Sequence, residues 1–126
     1  MKRVVITGLG TINSTGHSVN ESFDAVVNGV CGIDKITLFD TTDFSVQIAG
    51  EVKNFDPETV MDKKEVKKAD RFIQLGIKAA LEAMIDSGFV TSENKKVDDS
   101  IANRFGIISG SGIGGLSTIQ KNSTIC

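Results

Sequence analysis

Residues 2–10 read KRVVITGLG, and the unbroken run Val4, Val5, Ile6, Thr7 is the feature that most limits what this chain can fold into. Uniform hydrophobicity, rather than apolar and polar alternation, marks a strand covered on both faces. Such strands belong to α/β folds. The turn-rich TINSTG of residues 11–16 follows, and Ser18 with Glu21 three positions on predicts a capping box that opens a helix. Val19, Phe23, Val26 and Val30 then share one face, with Gly29 as the stop.

Residues 31–43 keep no sustained period and read as an irregular excursion. Residues 44–52 recover strand character, with Val46, Ile48 and Val52 on alternate positions and Gly50 interrupting. Pro57 suits the first position of a helical turn over residues 57–60. The longest predicted helix spans residues 63–87, capped by Asp62 and stopped by Gly88. Its apolar stripe is Ala69, Phe72, Ile73, Gly76, Ile77, Ala80, Leu81 and Met84, and Gly76 with the alanines permits close packing. Residues 91–103 read as a polar surface loop, residues 104–108 as the last strand, and residues 116–122 as a further helical segment. The order of elements implies one domain with a mostly parallel sheet and right-handed crossovers.

Composition narrows the classes of function. A chain of 126 residues with 40% apolar and 24% charged residues is a soluble globular domain. No apolar run approaches the ~20 residues needed to cross a bilayer, and no signal segment opens the chain, so the expected compartment is the cytoplasm. A net charge of −2 leaves any attraction to a charged partner to a local patch. Two cysteines, Cys31 and Cys126, are too few and too separated for a metal cluster or a disulfide framework. No metal or cofactor is expected.

The glycine cluster of residues 105–115, FGIISGSGIGG, invites a phosphate-cradle reading because Gly110, Gly112 and Gly115 satisfy G-x-G-x-x-G. That fingerprint also needs an acidic residue about 20 positions on, and the chain has eleven residues left. Gly8 and Gly10 lack the third glycine, since Asn13 holds its place. A dinucleotide-binding domain therefore ranks below a plain glycine-rich turn. Ser111 fails the G-x-S-x-G pattern, His17 has no ligand-like neighbour, and Cys31 has no cation to activate it.

A basic run is more distinctive. Lys64, Lys67, Lys68 and Arg71 fall at i, i+3, i+4 and i+7, with Lys63 alongside, placing five cations in nine residues of an acidic protein. A solvated helix face is the plain reading, and an acidic partner docked there is the sharper one. Nucleic acid is disfavoured, because the patch is small and has no interleaved aromatic residues.

Taken together, KRVVITGLG, the stretch DKKEVKKADRFIQLGIKAALEAMIDSG of residues 62–88 and GIISGSGIGGL of residues 106–116 resemble the N-terminal part of β-ketoacyl-acyl carrier protein synthases. The nearest likeness is to the elongating type II enzyme of bacterial fatty acid synthesis. LFDTTDF at residues 38–44 and IAGEVKNFDPE at residues 48–58 are similar to the segment between, while TINSTG stands where the family usually has a serine-proline-glycine loop. The resemblance implies a thiolase-like α/β fold, of which residues 1–126 are the N-terminal part of the first half, with a mixed, mostly parallel sheet and packed helices. It implies decarboxylative condensation of acyl and malonyl groups carried by acyl carrier protein, in a homodimeric complete enzyme. The nucleophilic cysteine and two histidines of that chemistry are expected downstream of residue 126, so no catalytic residue is assigned here and the chain alone is expected to be inactive. The alternative is a non-catalytic fragment that keeps carrier-protein binding. Carried over residue by residue, Lys64, Lys67 and Lys68 match positions that hold the acidic carrier protein, Arg71 is an extension of that patch, and Ile113 matches a position lining the acyl pocket.

Overall fold

Two helices end in the same way, and that ending shapes the chain. In the computed structural model, which describes residues 2–124, helix α1 spans Val19–Val27 with Ser18 as its cap, the Ser18 hydroxyl accepting from the Glu21 amide at 3.2 Å. The Glu21 carboxylate reaches back to the His17 amide (2.7 Å), one residue beyond the reciprocal bond of a capping box. At the other end Gly29 takes φ +67°, the Gly29 amide donates to Val26, and the Val30 amide to Ala25. This is a Schellman closure, which needs a residue free of the Cβ penalty at positive φ. Gly88 (φ +76°) repeats it, with its own amide on Ile85 and that of Phe89 on Met84.

The predicted long helix is two helices. A four-residue turn, α2 (Lys63–Val66), is separated from α3 (Arg71–Asp86) by an extended Asp70 at ψ 156°. The break leaves carbonyls between Val66 and Ala69 without helical donors. The side-chain amide of the buried Gln74 supplies them, donating to Val66 (3.2 Å) and Ala69 (3.0 Å). A polar group satisfied this way is stable where an unpaired one would not be.

Residues 31–55 hold the sole sheet among the described residues, an antiparallel pair of β1 (Asp34–Lys35) and β2 (Ile48–Ala49). The expected strand over residues 44–52 is thus shortened to two residues, and its partner lies inside the excursion predicted to be irregular. The Glu51 carboxylate braces the pair, accepting from the Thr37 amide (2.9 Å), the Thr37 hydroxyl (2.7 Å) and the Leu38 amide (3.2 Å). A 3-10 turn follows at Pro57–Thr59, capped by Asp56. The expected loop over residues 91–103 contains one short helix, α4 (Asp99–Ala102), capped by the Asp98 carboxylate on the Ser100 amide at 2.8 Å. The last helix, α5, runs Leu116–Thr124.

Residues 4–7 and 104–108, predicted as strands, join no ladder among the described residues, and the Arg104 and Phe105 amides instead close the turn after α4 on Ile101 (2.9 Å) and Ala102 (3.1 Å). A strand exists only through its neighbour's hydrogen bonds, and β-branched sequence alone cannot supply them. Val4 is 96% exposed and Ile108 is 100% exposed. Of the predicted apolar face Val19 alone is half-buried, whereas Phe23, Val26 and Val30 are exposed and Ser22 and Ala25 are the buried residues of α1. Ala25 and Val90 are the only buried apolar residues among those described. The accessible surface of 10345 Å² exceeds by about 3,800 Å² the roughly 6,500 Å² that a compact monomer of this mass presents.

Candidate functional site

The segment of residues 8–11 packs backbone against backbone on α3. Methyl groups at Gly8 and Gly10 would collide with the backbone carbonyls of Ala83 and Ala79 respectively. Alternate residues of an extended segment thus rest on residues four apart along a helix, an approach open only to residues without side chains. Carboxylates from the next positions of α3 hold the segment in place. Glu82 accepts from the Thr11 amide (3.2 Å) and the Val19 amide (2.8 Å) and pairs with Lys78 at 3.6 Å, and Asp86 accepts from the Leu9 amide (3.0 Å). Gly8 and Gly10 are packing residues.

The glycine cluster sits at the other end of α3. Gly114 has φ +77° and lies against the Phe72 ring, and Gly115 is in contact with the Asp70 carboxylate. Asp70 occupies the cap position of α3 and makes no capping bond there. Its two oxygens accept instead from the Thr118 hydroxyl, at 2.7 and 2.9 Å. A carboxylate is therefore stationed at the start of α5, where a dinucleotide site would place its pyrophosphate. That like charge opposes the phosphate-cradle reading on physical grounds.

The cationic run lies immediately before Asp70. Lys64, Lys67 and Lys68 are exposed and have no ion-pair partner among the described residues, whereas Lys63 faces Glu58 at 3.9 Å. Because the helix breaks, the four cations do not form one continuous helical face, a correction to the predicted spacing. Arg71 is turned to internal use: its guanidinium stands 4.9 Å from the centre of the Phe55 ring and donates to the Val52 carbonyl (3.3 Å) and to Gln74 (3.4 Å). His17 meets the same ring edge-on at 6.1 Å and bonds the Lys53 carbonyl at 2.8 Å through Nε2. These contacts anchor the start of α3 to the chain beneath it and leave the three lysines facing solvent.

Ile113 is 72% exposed on the glycine loop. A cleft of about 650 Å³, lined by Leu9, Val19, Val60, Leu81 and Ile85, lies elsewhere and does not include it. Cys31 is exposed, and Cys126 lies outside the described residues. Among the described residues no group of three or more His, Cys, Asp or Glu side chains is arranged to hold a metal ion, and no helix is long and apolar enough to cross a membrane.

A family model described as the N-terminal domain of β-ketoacyl synthase matches residues 1–124. The chain belongs to the β-ketoacyl synthase family. Its fold is accordingly thiolase-like, and a solved member, the ishigamide ketosynthase/chain length factor, superposes with a TM-score of 0.64 at 36% identity over 69% of this chain and 22% of its own. The 3-oxoacyl-[acyl-carrier-protein] synthase 2 of Staphylococcus aureus (strain N315) is 45% identical over 94% of this chain and 27% of its own length. The protein of the same name from Coxiella burnetii is 41% identical over 96% of this chain and 28% of its own. That from Vibrio cholerae is 45% identical over 94% and 27%. The chain thus spans just over a quarter of the length of these curated β-ketoacyl synthases.

Asp70, Thr118, Gln74 and Glu82 were not singled out from sequence. An aspartate before a helix ordinarily signals a cap, and only its unused capping bond shows that it serves another element. Glu82 sits beside the apolar stripe at a spacing that reads as solvated surface, yet its side chain is only 20% exposed.

Proposed function

We propose that this chain supplies the N-terminal part of a cytoplasmic, homodimeric condensing enzyme that elongates acyl chains by decarboxylative Claisen condensation with malonyl-loaded acyl carrier protein. The supporting observation is the trio Lys64, Lys67 and Lys68, exposed and without ion pairs among the described residues, in a chain of this family. Three compact ammonium groups on a short exposed segment suit an acidic partner, and they strengthen encounter more than final affinity. The chain's contribution is docking. Arg71 holds the docking segment from behind, through Phe55 and the Val52 carbonyl. Ile113 is assigned to the acyl pocket, where an apolar side chain on a glycine loop contacts the growing chain. We assign the nucleophilic cysteine and its two histidines to parts of the family that this chain does not span, so the chain alone is expected to be catalytically silent.

Titration with acyl carrier protein tests the docking role. Binding is expected to saturate and to weaken severalfold between about 0.01 and 0.15 M salt, as the screening length shortens from about 30 to 8 Å. Replacing Lys64, Lys67 and Lys68 together by Glu is expected to lower affinity at least tenfold. Unchanged affinity in that variant overturns the assignment.

A further inference from the structure

The Asp70 carboxylate abandons the helix it begins in favour of a hydroxyl 48 residues away. On one side of Asp70, two and three residues back, stand Lys68 and Lys67; the residues it touches, Gly115 and Thr118, directly follow the loop carrying Ile113. Phe72, two residues on, supports Gly114 of the same loop. The backbone of residues 110–113 has no hydrogen-bond partner among the described residues, so these contacts fix where the loop leaves α5. A flexible loop anchored at one end takes its orientation from that anchor.

We propose that Asp70 is a positioning residue, a latch that ties the glycine loop and Ile113 to the lysine segment so that carrier docking and the apolar gate are coupled. The latch rests on the docking reading for its purpose and on the Asp70–Thr118 bond for its existence. A carboxylate accepting a hydroxyl with both oxygens forms a charge-assisted bond, stronger than a neutral pair. Any shift of the lysine turn on binding an acidic partner is passed to Gly115 and Thr118 through one side chain, that of Asp70. Such coupling needs one element whose position both ends bias, and Asp70 is that element.

Thr118→Val tests this while preserving shape, and Thr118→Ser restores the hydroxyl. In the free chain, the amides of Leu116 and Ile119, which donate to Gly114 and Gly115, are expected to exchange at least tenfold faster in Thr118→Val and at wild-type rates in Thr118→Ser. The Ser87 amide, bonded to Ala83 at 3.0 Å, serves as the internal reference for an intact α3. With acyl carrier protein at saturation, the Ile113 methyl resonance is expected to shift in wild type and Thr118→Ser, and by less than a third as much in Thr118→Val. Exchange in Thr118→Val within twofold of wild type overturns the latch, and a full Ile113 shift in that variant overturns the coupling. Failure of the wild type to bind the carrier is a failure of the docking reading, and the free-chain exchange still decides the latch.

Discussion

The two faces of α3 are built on opposite logic. One face presents Ala79, Glu82, Ala83 and Asp86 to residues 8–11, and backbone approaches backbone there with carboxylates bonding the amides. The other presents Ile73 and Ile77, larger and more hydrophobic, and each is just under 40% exposed. Hydropathy alone would bury the second face and solvate the first. Small residues decide how near a neighbour can come, and paired polar groups decide whether it stays. Bulk decides only how much is gained if something covers it. The uncovered face, with residues 4–7 and 104–108, belongs to the surplus of about 3,800 Å², which on this chain alone matches what both sides of an obligate interface bury together.

This contrast makes a ranked set of expectations. The largest effect belongs to Gly10→Ala, whose methyl group meets the Ala79 carbonyl. It is expected to destabilise by about 1–3 kcal/mol or more, as overpacked sites do, and to detach residues 8–11 from α3. Denaturant unfolding followed by helicity measures the first, and amide exchange at Leu9 the second. Alanine at Gly76, which has open space around it, is the control and is expected to stabilise slightly, since alanine is the better helix former.

Next comes Glu82→Ala, which leaves the Thr11 and Val19 amides without their acceptor. Partly buried donors left unpaired cost about 1–3 kcal/mol, again read from denaturant midpoints. Lys78→Ala is expected to matter less, because removing the ion-pair partner leaves both amide bonds in place.

The smallest effect is acid loosening of residues 34–53. The Lys53 ammonium holds the Asp34 carboxyl below its ordinary 3.8, and the Thr37 hydroxyl holds that of Glu51 below 4.5. Depressed carboxylates are bound by fewer protons folded than unfolded, so their stabilisation is present above those ordinary values and is lost as pH falls through the lower folded ones. Both groups are solvent-exposed, and the effect is correspondingly small. Chemical shifts of Thr37 and Ile48 across pH 2–6 should therefore move only in the acid limb, whereas a transition centred above pH 5 would contradict this origin.

What the sequence disclosed follows the same division. The helix at Val19–Val27, its Ser18 cap and both glycine stops were legible, because each rests on local chemistry within one turn. The family was legible from motif order. The break at Asp70 was not, because it depends on Thr118 and Gln74, contacts set by tertiary structure. Residues 4–7 and 104–108 were legible as apolar, β-branched runs, but neither forms a strand among the described residues. Their pairing was not legible, since a ladder is a property of two strands. Among the site residues, the lysines were found by charge density, while the helical spacing that seemed to join Arg71 to them failed once the helix broke.

The uncovered surface is expected to be completed by the rest of a β-ketoacyl synthase. Amide exchange at residues 4–7 and 106–108 tests it directly, with the chain alone and after mixing with a polypeptide carrying the remainder of a family member. Exchange near the unprotected rate alone, slowed at least a hundredfold in the mixture, is the predicted result. Strong protection in a monomeric sample of the chain alone, or no change at a concentration where the two polypeptides co-sediment, would contradict it.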